Sequence, residues 1–244
     1  MMRFFTQQPL TLGARVTLEP ALQKHAIKVL RLAEGAQFEL ADDRQHAFVA
    51  TIQTTAPLVV SVDTPITRVV ELPVCTRLIC GVPKGDKADW IVQKATELGA
   101  SQITFFNSQW ATAKWKAERV AKKLTRLQAI AQGAAEQSHR DRIPTVSFAR
   151  LADLTLEEGQ VGLIAYEEAA KAGEAATLVQ TIAKQPQALA CVFGPEGGIS
   201  PEEVTALTAR GFIPAGLGPR IMRTETAPLY LLSAISALTE LQEI

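Results

Sequence analysis

Two stretches late in the chain combine residue types suited to holding a polar or anionic ligand. The first, Gly194-Pro195-Glu196-Gly197-Gly198-Ile199-Ser200-Pro201-Glu202-Glu203, directly follows the apolar Val192-Phe193. Its glycines let a backbone approach a ligand closely and offer N–H groups to a polar or anionic partner. Ser200 and Glu203 have the spacing of a capping box and Pro201 suits a first helical position, so a helix is predicted to start there. The second, Gly216-Leu217-Gly218-Pro219-Arg220-Ile221-Met222-Arg223-Thr224-Glu225-Thr226-Ala227-Pro228, also reads as a strand-to-helix connection, capped by Thr224 or Thr226. Arg220 and Arg223 then lie near a helix N-terminus, where the dipole disfavours cations, a cost that makes sense if an anion or carboxylate arrives. Alternatively, the glycines serve only a tight turn, and the arginines pair with Glu225 or Glu196 on the surface. A third candidate, Tyr166-Glu167-Glu168, is weak by itself, because an acidic pair after a strand is usually a solvated turn.

The same glycines exclude other chemistries. No Gly-Lys-Ser/Thr ending is present, which disfavours a phosphate-cradling nucleotide loop. A dinucleotide-binding domain needs a glycine fingerprint after its first strand, whereas Leu78-Ile79-Cys80-Gly81-Val82-Pro83 has none. A dehydrogenase is therefore disfavoured.

The elements that must position these loops fall into two groups. Residues 1–70 contain short β-rich runs at Arg15 to Leu18, Gln37 to Leu40, His46 to Ile52 and Leu58 to Val62, which predict a small barrel or sandwich. A helix from about Pro20 to Leu30 interrupts them, with Leu22, Ala26, Val29 and Leu30 on one stripe and Lys24, Lys28 and Arg31 on another. Pro65 and Pro73 bracket a stretch without clear period, where the boundary is placed. From 71 to 244 strands alternate with helices: Arg77 to Val82, a helix about Lys87 to Leu98, Gln102 to Phe106, and a helix about Lys114 to Gln137. Strands at Thr145 to Phe148, Val161 to Tyr166, Ala188 to Phe193 and Ile213 to Leu217 follow, then a helix about Thr226 to Leu241. This alternation predicts an α/β fold with a mostly parallel sheet covered by helices.

Composition narrows the setting. With 25 basic and 25 acidic residues there is no global positive field, so any nucleic-acid contact must use local patches. Cys75, Cys80 and Cys191 lack the spacing of a disulfide framework or a zinc site, which points to a reducing cytoplasm and to no metal. No run approaches the ~20 apolar residues of a membrane span.

Taken together, Arg223-Thr224-Glu225-Thr226-Ala227, Gly194-Pro195-Glu196-Gly197-Gly198, Glu136-Gln137-Ser138 and Lys84-Gly85-Asp86-Lys87 through Lys94-Ala95-Thr96-Glu97-Leu98-Gly99 resemble the small-subunit ribosomal RNA uridine-N3 methyltransferase family. His25-x-x-x-Val29-Leu30-Arg31 is similar to the N-terminal signature of that family, so the likeness spans nearly the whole chain. Met222 stands where Leu is common, a nearly isosteric change. Asp42-Asp43-Arg44 replaces an Asp-Gly hairpin tip.

The resemblance implies a knotted α/β domain of the SPOUT (trefoil-knot) methyltransferase type, preceded by a PUA-like RNA-binding β-barrel, in a homodimer. It implies S-adenosylmethionine as cofactor and 16S ribosomal RNA or the small ribosomal subunit as substrate. Carried onto matching positions, Gly194, Glu196, Gly197, Gly198 and Ile199 line the cofactor from one loop. Leu217, Gly218, Ile221 and Met222, with Thr226 and Ala227, line it from another, and Tyr166 and Glu167 supply a third wall. His139 occupies a variable place in the family pattern and is given no catalytic role.

Uracil N3 is protonated at neutral pH, so the site must remove or weaken that proton while aligning N3 with the methyl group. Arg223 is expected to stabilise the developing uracilate through O2 or O4, and Glu225 either to accept the proton or to orient the arginine. Arg3, Lys24, Lys28, Arg31, Arg140 and Arg142 are the expected phosphate-contacting surface, although the helix stripe is equally an ordinary solvated face. Trp90, Trp110 and Trp115 could stack bases, but tryptophans on helices more often serve a core or an interface and are left outside the site. A nonenzymatic RNA-binding module would keep the basic face without needing the two late loops.

Overall fold

The computed structural model describes residues 1–174 and 176–241, so the last three residues of the expected second domain lie outside it. The chain divides into two units, residues 1–71 with 135–142, and residues 72–134 with 143 onward. The expected boundary at 70/71 therefore misses one excursion: residues 135–142, predicted in the second domain, pack with the first.

The first unit is one five-stranded sheet of β1 (Arg3–Phe5), β2 (Arg15–Thr17), β3 (Gln37–Ala41), β4 (Ala47–Thr55) and β5 (Leu58–Ile66), in the order β1-β3-β4-β5-β2. A single sheet excludes the sandwich. Alternate residues of β4 and β5 point inward, placing Ala50, Ile52, Val60 and Val62 in a core with Phe4, Phe38 and Leu40. Sequence reading missed β1, because three residues pairing in parallel with β3 are too few to show a period. The predicted helix is present but composite: α1 (Pro20–Gln23) passes into a π-helical turn, Lys24–Val29, closed by Leu30 N–H donating to His25 O at 3.0 Å. Leu22 and Ala26 are buried there, and Lys24, Lys28 and Arg31 are exposed.

Arg3 and Arg140 are not on the surface. The Arg3 guanidinium donates to Glu39 at 2.8 Å, to Asp141 at 2.5 Å and to the carbonyls of His139 and Arg140, both at 2.7 Å. Arg140 pairs with Glu71, and both arginines are only 2% exposed. They are thus removed from the expected phosphate-contacting set, because an arginine buried against carboxylates cannot reach a polyanion. Arg142, half-buried, donates to Gln45 at 2.7 Å and lies 3.4 Å from Glu71.

The second unit is a six-stranded, all-parallel sheet with the order β11-β9-β10-β6-β7-β8. Its strands are β6 (Cys75–Gly81), β7 (Gln102–Phe106), β8 (Thr145–Phe148), β9 (Gln160–Ala165), β10 (Ala188–Phe193) and β11 (Phe212–Ala215). Between them run α2 (Lys87–Glu97), α3 (Ala117–Gln137), α4 (Glu167–Lys171), α5 (Thr177–Ala183) and α6 (Pro201–Thr208), and α7 (Ala227–Thr239) closes the fold. Both faces of the sheet are buried, as near-continuous apolar strands require. Leu78, Leu189, Cys191 and Phe193 face α2, α3, α5 and α7, while Ile79, Ala190 and Val192 face α6. Helix α3 starts three residues later than predicted. Asn107 holds the main chain of Trp115 through both ends of its amide at 2.9 Å, keeping that segment out of the helix.

Strand order sets the site. The chain builds outward from β6 through β7 to β8, then returns to place β9, β10 and β11 on the other side, with β10 inserted between β6 and β9. The order reverses at the β6–β10 junction, and ligands of open α/β sheets bind outside the carboxyl ends at such a switch point. From β11 at the sheet edge the chain comes back to pack α7 against α2 and α5.

Candidate active site

Because all six strands are parallel and in register (Phe193 beside Cys80 and Ala165, Ala215 beside Ala165), the loops after β6, β9, β10 and β11 leave the sheet at one edge. They approach so closely that side chains are excluded. A Cβ on Gly81 would stand 2.5 Å from Pro195 Cδ, one on Gly194 2.8 Å from the Gly198 carbonyl carbon, and one on Gly216 2.3 Å from Glu174 O. Gly198 and Gly218 have φ of +79° and +96°, the left-handed region that glycine enters without penalty.

The predicted capping box at the start of α6 is present: Glu203 N–H donates to Ser200 Oγ at 3.2 Å and Ser200 N–H donates to Glu203 Oε2 at 3.0 Å. Glu203 does more than cap. Its buried carboxylate also accepts from Ser108 Oγ at 2.9 Å and from Gln109 N–H at 2.8 Å, fastening the β7–α3 loop beside the glycine loop.

At the mouth of these loops Lys87 Nζ lies 3.0 Å from both Glu196 Oε1 and Glu225 Oε2, joining the two late loops through the N-terminus of α2. The ion pairs considered for Arg220 and Arg223 do not form, since Lys87 occupies both carboxylates. Among the described residues neither arginine side chain has an ion pair or hydrogen bond, and both are exposed. Burial disfavours the Glu225 carboxylate, but its own backbone N–H and the Lys87 ammonium outweigh that and hold it below the usual carboxylate range. Glu196 is lowered in the same way, and the two carboxylates raise Lys87. Glu225 Oε2 is buried and, despite its nearness to Lys87, has no aligned hydrogen bond. Thr226 occupies the N-cap position of α7 without a side-chain cap bond, and Thr224 is buried.

The third loop follows β9. Tyr166 is half-buried and its N–H donates to Ala215 O at 3.0 Å. Glu167 begins α4 and pairs with Lys171 at 2.8 Å on an exposed face. Glu174 holds the neighbouring loop. It accepts from Gly216 N–H at 2.5 Å, Thr177 N–H at 2.7 Å and Ala176 N–H at 2.8 Å. Burial opposes its charge, but these backbone donors hold the Glu174 carboxyl down to about 2.

Residues 70–236 match the RNA methyltransferase domain family, and residues 18–57 match the RNA methyltransferase PUA domain. The ribosomal RNA small subunit methyltransferase E of Bacillus subtilis is 37% identical over 99% of this chain and 98% of its own length. The chain belongs to the methyltransferase E family. A second relative of that name, from Synechocystis, is 30% identical over 93% of this chain and 74% of its own. Among solved structures, the methyltransferase E of Neisseria gonorrhoeae bound to S-adenosyl methionine superposes with a TM-score of 0.85 at 29% identity, covering 98% of each chain. A Legionella pneumophila methyltransferase with bound cofactor SAM gives 0.82 at 29% identity, covering 96% of each.

In this methyltransferase E chain, sequence reading missed three contributors to the loop cluster. Lys87 lies inside a quoted family motif, but a lysine at the start of a helix has no distinguishing pattern until its two carboxylates are brought to it. Glu174 had no signal beyond the Gly173-Glu174 pair after a short helix. The third is the segment Ser108-Gln109-Trp110, whose partner Glu203 is more than ninety positions away. No helix among the described residues is long and apolar enough to cross a membrane.

Proposed function

We propose that this protein transfers the methyl group of S-adenosylmethionine to N3 of one uridine of 16S ribosomal RNA, uridine 1498 in the family's substrate numbering. The observation that carries this reading is the meeting of the two glycine loops around a Lys87-bridged pair of carboxylates, with an unpaired Arg223 at their edge.

The loops suit the cofactor. Gly194, Gly197, Gly198 and Ile199 from one loop and Leu217, Gly218, Ile221 and Met222 from the other form a cradle whose glycine positions leave no room for Cβ atoms at Gly194 and Gly197. Among the described residues the main-chain N–H groups of Leu217, Gly218, Ile221 and Met222 have no hydrogen bond, which leaves a polar edge for a ligand. Glu196, Tyr166, Thr226 and Ala227 border the same cradle, and we place Glu167 at its rim. S-adenosylmethionine supplies an electrophilic methyl group. Arg223 stabilises charge developing on uracil O2 or O4 as N3 loses its proton. Glu225, held anionic by Lys87, orients Arg223 and attracts the departing proton. Its lowered affinity for protons suits relay to solvent better than retention.

The exposed Lys24, Lys28 and Arg31 of the first unit contact RNA phosphates, with Arg142 in a supporting role. By family resemblance the working form is a homodimer in the cytoplasm, acting on 16S ribosomal RNA or the small ribosomal subunit.

The test is incubation with methyl-labelled S-adenosylmethionine and either small subunits or naked ribosomal RNA, followed by mass spectrometry of the nucleosides. The expected product is N3-methyluridine. Cofactor binding without transfer would overturn the substrate, and absence of binding would overturn the reading. In the same assay the rate should rise with pH through neutrality, tracking loss of the N3 proton. Any break that Glu196 or Glu225 imposes is expected below the ordinary glutamate value of 4.5, because both carboxylates are held under it.

A further inference from the structure

The segment between β7 and α3 is built with more care than a connection needs. Ser108 and Gln109 are fastened to the buried Glu203, Ser200 Oγ donates to Gln109 Oε1 at 2.9 Å, and Asn107 clamps Trp115. Ala111 N–H closes a turn on Ser108 O at 3.2 Å. The next side chain, Trp110, is not on a helix, and its position rests on Gly197: a Cβ there would stand 2.5 Å from Trp110 O and 3.2 Å from Trp110 Cβ. Yet Trp110 is 48% exposed. Trp115 is buried, stacked on Phe148 with centroids 5.7 Å apart. Trp90 on α2 is as exposed as Trp110 but lies under the Lys94 ammonium at 5.4 Å, whereas the atoms nearest to a Cβ on Gly197 all belong to Trp110. A large, rigidly based and half-exposed aromatic beside the glycine loop, followed by the exposed Lys114 and Lys116, combines a π-face with nearby positive charge. Proteins that hold unstacked bases use this pairing.

We propose that the Trp110 ring is a stacking platform for an unpaired RNA base next to the methyl-transfer site. The target uridine must leave its stack to be methylated, which costs a few kcal/mol, and a fixed aromatic face recovers part of that cost. The proposal rests on the RNA methyl-transfer reading above. Contact with Gly197 is made through the carbonyl and Cβ of Trp110, which alanine retains, so W110A removes the ring without reshaping the loop.

The experiment has two arms. Ultraviolet crosslinking of a 16S fragment carrying 5-bromouridine, with mass spectrometry of the adduct, is expected to place the crosslink on Trp110. Steady-state assays of W110A are expected to show KM for RNA raised about tenfold, within the five- to 150-fold span of one base–aromatic stack. S-adenosylmethionine affinity by calorimetry should be unchanged, and W110F should restore most of the loss. An unchanged RNA KM would overturn the assignment. So would a loss of cofactor affinity equal to the loss of RNA affinity, which would make the ring a cofactor wall. If the wild-type protein transfers no methyl group, the catalytic reading fails. The crosslink needs no turnover and still decides the ring, an adduct elsewhere overturning it.

Discussion

Replacing Arg223 by alanine should lower methyl transfer by about 10²- to 10³-fold, the loss typical of removing one preorganised donor from developing negative charge. The reason is geometric. Arg223 stands in the tight turn before α7, where Thr226 and Ala227 N–H groups both donate to its carbonyl, at 2.8 and 3.1 Å. Its main chain is therefore fixed, while its guanidinium makes no hydrogen bond or ion pair among the described residues, acts on Glu225 only through its charge, and is exposed at the loop edge. An unpaired arginine near a helix N-terminus opposes the dipole, and a substrate carrying developing charge relieves that opposition. Since the side chain holds no other part of the protein, S-adenosylmethionine affinity and the unfolding midpoint of R223A should match those of the wild type. R223K should recover only part of the rate, because an ammonium cannot present the planar pair of donors that spans neighbouring acceptors. Single-turnover transfer rates with saturating RNA are the measurement. A rate within threefold of wild type would remove Arg223 from the chemistry.

The second large effect concerns stability. R3L should destabilise the N-terminal unit by about 3 kcal/mol, the lower end of the cost of stranding buried charge. Arg3 donates to Glu39, to Asp141 and to two carbonyls of the 139–140 segment. Its loss leaves Glu39 with His139 at 2.6 Å and with Arg68, and leaves Asp141 without its cation. Burial disfavours the Glu39 carboxylate, but hydrogen bonds from His139 and Arg3 outweigh it and hold the group below its ordinary value. That contribution is complete above the unfolded value of about 4.5 and fades as the pH falls through the lower folded one. Asp141 moves the other way, raised by burial despite Arg3, so the acid dependence of the cluster is a partial cancellation. Hydrogen exchange of peptides covering β1 and β3 would report the change within this unit. Protection equal to wild type in R3L would show that Arg68 and His139 suffice.

Much of the loop chemistry was legible in the chain because it is local. Glycines after apolar strands, Ser200 three residues before Glu203, and prolines just inside two helices have consequences that follow from neighbouring residues alone. The alternation of strands and helices likewise identified a parallel sheet, and the amphipathic stripe of Lys24, Lys28 and Arg31 is exposed as expected. What stayed hidden depends on partners distant in sequence. Arg3 and Arg140 look like surface cations in a linear reading, because nothing near them says that Glu39, Asp141 and Glu71 will surround them. The 135–142 segment continues from a helix of the second unit, and its sequence carries no sign that its partners belong to the first.

Burial and charge pairing are therefore where sequence and tertiary structure part. The residue types and spacings determined that two late loops would offer backbone donors and an arginine at the ends of parallel strands, since backbone geometry and capping act over a few residues. Only the fold decided that Lys87 would take Glu196 and Glu225 and so leave Arg223 without an ion pair, that Glu174 would hold Gly216, and that Trp110 would be fixed on Gly197 with its ring exposed. Each is a choice among competing partners of similar chemistry, and distance in space settles it.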